Sequence, residues 1–324
     1  MRIAFLTEMG FTGKIPNNHP NMRTEFAWMY ALNADHYNVN LIDSYENLTN
    51  YDNIFIIFPK GKTFLNSEGS KLIDGINPVS NLLQQPIVEK LKNKGNKKVY
   101  FIQEGPSWWF HNYEMADQIS FINMLRTSDG IYAHNEYDVK FWKAYISNVF
   151  VIPTLMIEEP IKEITWNPQN KTIIGGNFSR WYGGMSSYIV AQEFNNELYT
   201  ISSHAQRDQE NEIINHLPRT MWTDWMKQLS EFKYAIHLMP TIAAGTFSLN
   251  CAYFGIPCIG NEKVDTQRLC HPHLSVDVDD VEKAIKLALK LKHDKDFYDE
   301  CSGVAKFNYN YNYSIDKWKQ KINL

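Results

Sequence analysis

A Gly-Thr pair stands immediately before an apolar helical segment in AGTFSLNCAYFGIPCIGNE, residues 244–262. Backbone N–H groups at the start of a helix have no partner within the helix, and the helix dipole there favours an anion. Gly245 would allow a phosphate to approach the backbone closely, and the Thr246 hydroxyl could donate a hydrogen bond to it. Any α/β domain also needs glycines between its strands and helices. This stretch alone therefore leaves a phosphate site and a structural turn as alternatives.

A second glycine-rich loop, IIGGNFSRWYGGMSSYI, occupies residues 173–189. The guanidinium of Arg180 could bind a diphosphate through two parallel hydrogen bonds. Gly183 and Gly184 would admit a phosphate or a sugar close to the backbone. The glycine spacing differs from the dinucleotide-binding fingerprint, and no acidic residue follows at the distance that this motif requires. An exposed arginine in a surface turn is the alternative.

The loop after the first predicted strand, EMGFTGKIPNNHPNMRTEF (8–26), is long for a loop at a strand end. Loops of this length at such positions usually carry function. Its chemically capable residues are Thr12, Gly13, Lys14, His19, Arg23 and Glu25.

The stretch FIQEGPSWWFHNYE (101–114) ends a predicted buried strand with a carboxylate and several aromatic residues. Glu104 could accept a hydrogen bond from a sugar hydroxyl or remove its proton. Trp108, Trp109 and His111 could stack on a sugar or a base, and partly buried packing is the alternative for the tryptophans.

Composition limits the class of protein. The chain has 324 residues, 44% of them hydrophobic, and a formal net charge of −4. It is long enough for two cores, and no strongly basic surface points to a polyanionic partner. Four cysteines are too few for a disulfide framework, so we expect a reducing, cytoplasmic setting. The apolar run at the N-terminus is shorter than that of a signal peptide, and no run approaches membrane-spanning length, so we expect a soluble protein without membrane insertion.

Short apolar runs alternate with helical patterns along most of the chain. This alternation predicts an α/β fold with parallel sheets, in which ligands bind beyond the carboxyl ends of the strands. A helix is predicted over MRTEFAWMYALNA (22–34), with Asn21 as its N-cap. The proline-containing segment 153–171 has little periodicity and is typical of an interdomain connection. After it the alternation restarts, which predicts a second α/β unit.

The order of these stretches resembles the GT-B-fold glycosyltransferases, group 1-like, over essentially the whole chain. IIGGNFSRWYGG stands where that family has its diphosphate-gripping Gly-Arg…Lys-Gly loop, and IHLMPTIAAGTFSLNCAYFGIPCIG stands where it has its late Pro…Gly…Gly-x-Pro signature. The family signature holds two carboxylates eight positions apart. Here Ile242 and Asn250 occupy those positions, so the acidic contact to the donor ribose is missing, and the glycine-rich loop lacks its lysine.

The resemblance implies two Rossmann-like domains facing a central cleft. The expected boundaries are 1–155 for an acceptor domain, 171–305 for a nucleotide-sugar donor domain, and 306–324 for a helix that crosses back to the N-domain. The implied donor-binding residues are Thr12, Gly13, Arg180, Gly184, Leu217, Arg219, Gly245, Thr246, Phe247 and Asn250. The implied acceptor-binding residues are Arg23, Glu25, Trp108, Trp109 and His111. Glu104 and His19 are the candidate catalytic residues, with Glu25 and Glu8 as further candidate bases.

The function implied is transfer of a sugar from a nucleotide-diphosphate sugar, for which a UDP-sugar is expected. No further cofactor and no metal are expected, and the product should retain the configuration of the donor sugar. In LCHPH (269–273), Cys270, His271 and His273 have no partner pair at zinc-like spacing.

In size and layout the chain is similar to phage glycosyltransferases that modify hydroxymethylated DNA bases, which makes such a base, flipped out of the duplex, the first choice of acceptor. Residues 1–160 carry 14 basic and 17 acidic side chains, a difference of −3, which argues against DNA. A surface polysaccharide, a lipopolysaccharide or a small molecule is the alternative acceptor. An epimerase-like enzyme and a non-catalytic nucleotide-sugar binding protein are alternative functions, and a monomer or weak dimer is expected.

Overall fold

The computed structural model describes residues 1–7, 11–38, 45–57, 89, 92–93, 97–103, 105–112, 115–176, 178, 181–201 and 208–322. The chain divides into two compact units. Unit 1 comprises Met1–Asn17, Glu25–Pro153 and Lys321–Leu324, and unit 2 comprises Asn18–Thr24 and Thr154–Gln320.

Unit 1 is built on a six-stranded sheet in which every adjacent pair is parallel. Its strands are β1 (Ile3–Thr7), β2 (Asp35–Asn38), β3 (Asn53–Ile57), β4 (Lys98–Ile102), β5 (Gly130–Ala133) and β6 (Val149–Val151). They lie in the order β2-β1-β3-β4-β5-β6. Strand β1 therefore has its chain successor β2 on one side and β3 on the other, which makes the space beyond β1 and β3 a topological switch point.

The core of unit 1 covers both faces of this sheet. The described helices are α1 (Glu25–Ala31), α2 (Met115–Thr127) and α3 (Glu136–Trp142). On one face the ring of Phe55 stacks on Phe5 at 4.9 Å and on Tyr100 at 5.5 Å. On the other face Phe121 and Trp142 pack with the buried aliphatic side chains of the strands. Strands β1 and β3 are buried at every position, as strands covered on both faces must be.

Helix α1 begins later than predicted, so the assignment of Asn21 as its N-cap is wrong. Asn21 Oδ1 instead accepts a hydrogen bond from Arg23 Nε at 3.1 Å. Thr24 adopts a left-handed backbone with φ 48°, and its N–H donates to the carbonyl oxygen of Leu155 at 2.8 Å. These contacts hold the chain in a non-helical path up to Glu25.

Unit 2 contains a second six-stranded sheet, also parallel between all neighbours. Its strands are β7 (Gln169–Ile174), β8 (Glu197–Ile201), β9 (Asn215–Leu217), β10 (Phe232–His237), β11 (Cys258–Asn261) and β12 (Ser275–Val276). The order β12-β11-β10-β7-β8-β9 places β7 beside β10. The chain proceeds outward from β7 on one side and from β10 on the other, so the switch point of this sheet lies between these two strands.

The remaining described α-helices belong to unit 2, apart from the last two described residues of the chain, which fall in unit 1. These helices are α4 (Gly184–Gln192), α5 (Trp222–Leu229), α6 (Thr246–Phe254), α7 (Asp265–Cys270), α8 (Val281–His293), α9 (Lys295–Asn312) and α10 (Ile315–Ile322). All four cysteines of the chain are buried free thiols in this unit. Among the described helices, none is long and apolar enough to cross a membrane.

Candidate active site

Two of the predicted ligand loops meet at the carboxyl edge of the second sheet, where β7 and β10 end. Gly183 precedes α4 with φ +64°, and a Cβ at this position would lie 1.9 Å from the carbonyl oxygen of Leu238. The N–H of Leu238 donates to Ser187 Oγ at 3.0 Å. The turn before α4 is therefore packed backbone to backbone against the end of β10, and only glycine fits at the contact. Gly184 is the first residue of α4.

The start of α6 is locked at the same edge. Gly245 precedes the helix with φ +74°, and a Cβ there would lie 1.9 Å from Thr266 Oγ1. Thr266 Oγ1 donates to the carbonyl oxygen of Gly245 at 2.8 Å and is 2.7 Å from Ser248 Oγ. No side chain caps the helix. The first turn, with Thr246 and Phe247, therefore has uncapped N–H groups at a switch point, which is the local arrangement that favours an anion.

His237, the last residue of β10, lies beside the start of α6. Its ring packs edge-on against Phe247 with the centroids 4.9 Å apart, and a Cβ at Gly175 would lie 2.8 Å from the imidazole Cγ. The residue is partly exposed, but Nε2 is enclosed and has no hydrogen-bond partner. Burial lowers the pKa of His237 to about 4, so the ring is neutral near pH 7. His237 was not among the predicted site residues. Its position is defined by contacts with Gly175 and Phe247, which are distant in the sequence or in another element, so no local motif marks it.

Asn250 lies in α6 and is 1% exposed. Trp222 Nε1, at the start of α5, donates a long hydrogen bond of 3.5 Å to Asn250 Oδ1. The side chain is thus engaged within the protein, and its role at a ribose hydroxyl stays a prediction. Ile242, at the position of the other family carboxylate, is also buried.

The segment predicted to lie against the donor base joins β9 to α5. Leu217 ends β9 and is half-buried, and Arg219 is exposed. The N–H of Thr223, in the first turn of α5, donates to the carbonyl oxygen of Pro20 at 3.1 Å. Residues 18–24 therefore pack with unit 2, although the sequence predicted them in the N-terminal domain.

His19 and Arg23 lie in this short segment of unit 2. His19 Nδ1 accepts a hydrogen bond from the N–H of Asn21 at 3.1 Å, and burial lowers the pKa of the ring. Arg23 forms an isolated bridge with Met156. Glu25, by contrast, opens α1 in unit 1.

Thr12 and Gly13 are placed next to the edge strand of unit 1. The N–H of Gly13 donates to the carbonyl oxygen of His36 at 2.8 Å, and its own carbonyl accepts from the N–H of His36 at 2.9 Å. Lys14 forms an ion pair with Asp35 at 3.1 Å. Thr12 is exposed. The loop is thus anchored to β2, and donor contacts by Thr12 and Gly13 stay predictions.

A buried polar network fixes the chain after β4. Asp138 in α3 accepts hydrogen bonds from Gln103 Nε2 at 2.8 Å and Asn135 Nδ2 at 2.9 Å. Gln103 also donates to the carbonyl oxygen of Gly105 at 2.7 Å and accepts from Trp142 Nε1 at 2.6 Å. Burial raises the pKa of Asp138, while these hydrogen bonds act in the opposite direction. The network holds the backbone on both sides of position 104.

The aromatic residues of this stretch follow in a short helical turn, Ser107–Asn112. Trp108 and His111 are exposed, and the His111 ring packs edge-on against Phe141 at 5.5 Å. Four predicted site features lie outside the described residues: Glu8, Glu104, Arg180 and the side chain of Trp109.

The Cys-His-Pro-His stretch is accounted for by packing. Cys270 is buried, His271 Nε2 lies 3.0 Å from the carbonyl oxygen of Ser248, and His273 Nε2 lies 3.6 Å from Glu300. Within the part of the chain that the structure describes, no group of three or more His, Cys, Asp or Glu residues could hold a metal ion.

The fold is similar to that of solved glycosyltransferases, although no protein-family model and no curated protein sequence matches the chain. An alpha-glucosyltransferase in complex with UDP and a 13-mer DNA containing a HMU base has 11% identity and a TM-score of 0.67, over 100% of this chain and 98% of that chain. A sucrose-phosphate synthase from Thermosynechococcus elongatus has 9% identity and a TM-score of 0.63, over 99% and 97%. HepE of Anabaena, in complex with UDP and glucose, has 10% identity and a TM-score of 0.61, over 100% and 98%.

Two parallel six-stranded sheets and this similarity define the GT-B fold, and the predicted fold class is confirmed. The resemblance to GT-B glycosyltransferases holds over the whole length of the chain. Because a fold hosts many functions, the activity has to be argued from the site.

Proposed function

We propose that the chain is a glycosyltransferase that takes its sugar from a UDP-sugar. The observation that carries this proposal is made at the carboxyl edge of β7 and β10. There the tightly packed turns at Gly183 and Gly245 lie together, and the first turn of α6 has uncapped N–H groups. An anion of the size of a diphosphate fits such an edge. UDP as the nucleotide is supported by the alpha-glucosyltransferase and HepE complexes, both of which contain it.

In this proposal unit 2 binds the donor. Backbone N–H groups of Thr246 and Phe247 hold the diphosphate, and Arg180 adds a positive charge from the loop that ends at Gly184. We add His237 to this edge, because a buried nitrogen without a partner costs stability and a ligand would satisfy it. Leu217, Arg219 and Asn250 bind the base and the ribose. The domain boundaries proposed are those of the sequence, 1–155, 171–305 and 306–324, with two corrections. Residues 18–24 pack with unit 2, and the helix α9 runs across the boundary at 305.

During transfer the acceptor hydroxyl oxygen forms a bond to the anomeric carbon, while the bond from that carbon to the diphosphate breaks. The negative charge that develops on the leaving UDP is stabilised by the helix start and by Arg180, without a metal ion. The proton of the hydroxyl passes to the leaving phosphate if configuration is retained. If configuration is inverted, it passes to Glu104 or to His19, whose burial favours the neutral form.

A hydroxymethylated DNA base is the acceptor that we propose. It is supported by two neighbours of nearly equal length, an alpha-glucosyltransferase with HMU-containing DNA and one with UDP-glucose and DNA containing an abasic site. The acceptor contacts are assigned to Arg23, Glu25, Trp108, Trp109 and His111. Thr12 and Gly13 stay assigned to the donor. A cytoplasmic location is proposed from the four buried free thiols, which suit a reducing compartment.

The experiment that tests this function is a UDP-release assay with UDP-glucose and related donors. Its acceptor arms are hydroxymethylated DNA, unmodified DNA, polysaccharide and water alone. Release that depends on the hydroxymethyl group supports the proposal. Release with polysaccharide only would favour the glycan alternative, and tight UDP binding without release in any arm would identify a binding protein.

A further inference from the structure

The C-terminal helices carry two aromatic rings that the fold does not use. Phe307 and Tyr311 of α9 are 67% and 61% exposed. Their rings are nearly parallel, at 9°, with the centroids 6.1 Å apart. The alternate aromatic residues of the same run, Tyr309 and Tyr313, are buried, and Tyr309 donates a hydrogen bond to Glu158 at 2.9 Å. The packing role of the run is therefore met by the buried pair, and the exposed pair is left facing solvent.

One lysine lies over one of these rings, and a second is next to the other ring in the chain. Lys317 Nζ of α10 lies 5.7 Å from the centroid of the Tyr311 ring, and Lys306 is exposed next to Phe307. We call Lys306, Phe307, Tyr311 and Lys317 the aromatic–lysine surface. From residue 303 to the end of the chain there are four lysines and one aspartate, a local charge of +3 in a protein of net charge −4.

The positive charge of this surface is available to a ligand. Among the described residues, neither Lys306 nor Lys317 forms an ion pair with a carboxylate, since each lies more than 4.0 Å from any described one. Elsewhere, Lys286 in α8 pairs with Glu282 at 2.6 Å, and Lys295 at the start of α9 pairs with Asp299. Lys306 and Lys317 therefore keep a positive charge that no described carboxylate neutralises.

We infer that the aromatic–lysine surface binds DNA, with unpaired bases stacked on Phe307 and Tyr311 and phosphates bound by Lys306 and Lys317. Flat rings accept the face of any base, and lysines along the same surface neutralise the backbone. A lipid surface fits less well, because exposed polar residues such as Asn310 lie beside the two rings and do not form a broad apolar face. The inference rests on the proposed function in taking DNA as the acceptor. It supplies the basic contact that the acidic balance of residues 1–160 lacks.

The test is binding of the full chain to a labelled single-stranded oligonucleotide and to its duplex, measured by fluorescence anisotropy across a salt series. We expect Phe307→Ala/Tyr311→Ala to weaken single-strand binding about thirtyfold or more, since each lost stacked base costs about 1 kcal/mol or more. Lys306→Gln/Lys317→Gln should lower the slope of log affinity against log salt by about 1.4, or about 0.7 per phosphate contact. The matched controls, Lys286→Gln/Lys295→Gln and the exposed Tyr137→Ala, should bind as the wild type does.

Unchanged DNA affinity in both surface variants would overturn the inference, as would a wild-type chain that binds neither form of DNA. A loss that is confined to polysaccharide or to anionic vesicles would overturn it too, in favour of those partners. UDP binding, measured on the same samples, should equal that of the wild type in every variant. UDP binding therefore separates DNA binding at this surface from the proposed use of a UDP-sugar. A chain that binds UDP but no DNA would refute the first and leave the second standing.

Discussion

Gly245→Ala tests whether the start of α6 is locked in the geometry of an anion site. The new Cβ would lie 1.9 Å from Thr266 Oγ1 and 2.7 Å from Val264 Cγ1. A left-handed backbone costs alanine about 1–2 kcal/mol. Thr266 has to move, which breaks its hydrogen bonds to Gly245 and Ser248, at about 1 kcal/mol each. The free energy of unfolding should therefore fall by about 3–4 kcal/mol.

The same change should weaken UDP binding at least tenfold. A displaced helix start can no longer aim its N–H groups at the diphosphate, and a lost hydrogen bond to a charged group costs about 1.5–3 kcal/mol. Denaturant unfolding measures the first effect, and titration calorimetry with UDP at a temperature where the variant is folded measures the second. Gly303→Ala is the matched control, because a Cβ there has no atom within 4 Å. In the interior of α9 it should raise the unfolding free energy by about 0.5–1 kcal/mol and leave UDP binding unchanged.

A Gly245→Ala chain with wild-type stability would refute the packing argument. A chain that is destabilised as expected but binds UDP with wild-type affinity would refute the assignment of the diphosphate to α6.

Four further outcomes are expected. His237→Phe should not lower the unfolding free energy near pH 7, since it removes an unpaired nitrogen. It should raise the UDP dissociation constant about fivefold. Lower stability with unchanged UDP affinity would identify His237 as a purely structural residue. Because the pKa of His237 is about 4 in the folded protein and about 6.5 when unfolded, the unfolded state takes up more protons between these values, so stability falls as the pH drops from 6.5 to 4, and denaturant melts should show a weaker fall in His237→Phe. Arg180→Ala should raise the UDP dissociation constant tenfold or more by calorimetry, and an unchanged value would remove Arg180 from the donor site. Transfer should persist in EDTA, and a complete loss that added metal reverses would show that a metal carries the leaving-group charge.

The parallel strands and the site helix were predictable because their signals are local. The apolar helical segment predicted beside the Gly-Thr pair is α6, Thr246–Phe254, which lies between Gly245 and Gly255. Contiguous apolar runs such as IAFLT marked β1 at Ile3–Thr7. Both patterns depend on neighbouring residues alone, so a single sequence contains them.

Features that depend on contacts between distant residues could not be predicted from the sequence. The first part of α9 was not predicted, because the expected C-terminal helix began only at residue 306. The run FNYNYNY shows an alternation that is not helical, while Tyr309 and Cys301 are buried by packing. The non-helical path before Glu25 is set by hydrogen bonds to Leu155 and Ile157, more than a hundred positions away. His237 is distinguished only by an enclosed nitrogen beside Phe247. Propensity carries no information on such contacts.

The central claim is that this chain moves a sugar from UDP onto a hydroxymethylated DNA base. It is tested most directly by incubating the protein with UDP-glucose and DNA that contains hydroxymethyluracil or hydroxymethylcytosine, digesting the DNA to nucleosides, and weighing them by mass spectrometry. The account predicts a hexose added to the hydroxymethylated nucleoside and to no other, with one UDP released per hexose. The claim would be contradicted if no nucleoside gained mass with any of the common UDP-sugars, although the protein bound UDP and released it from a UDP-sugar with another acceptor.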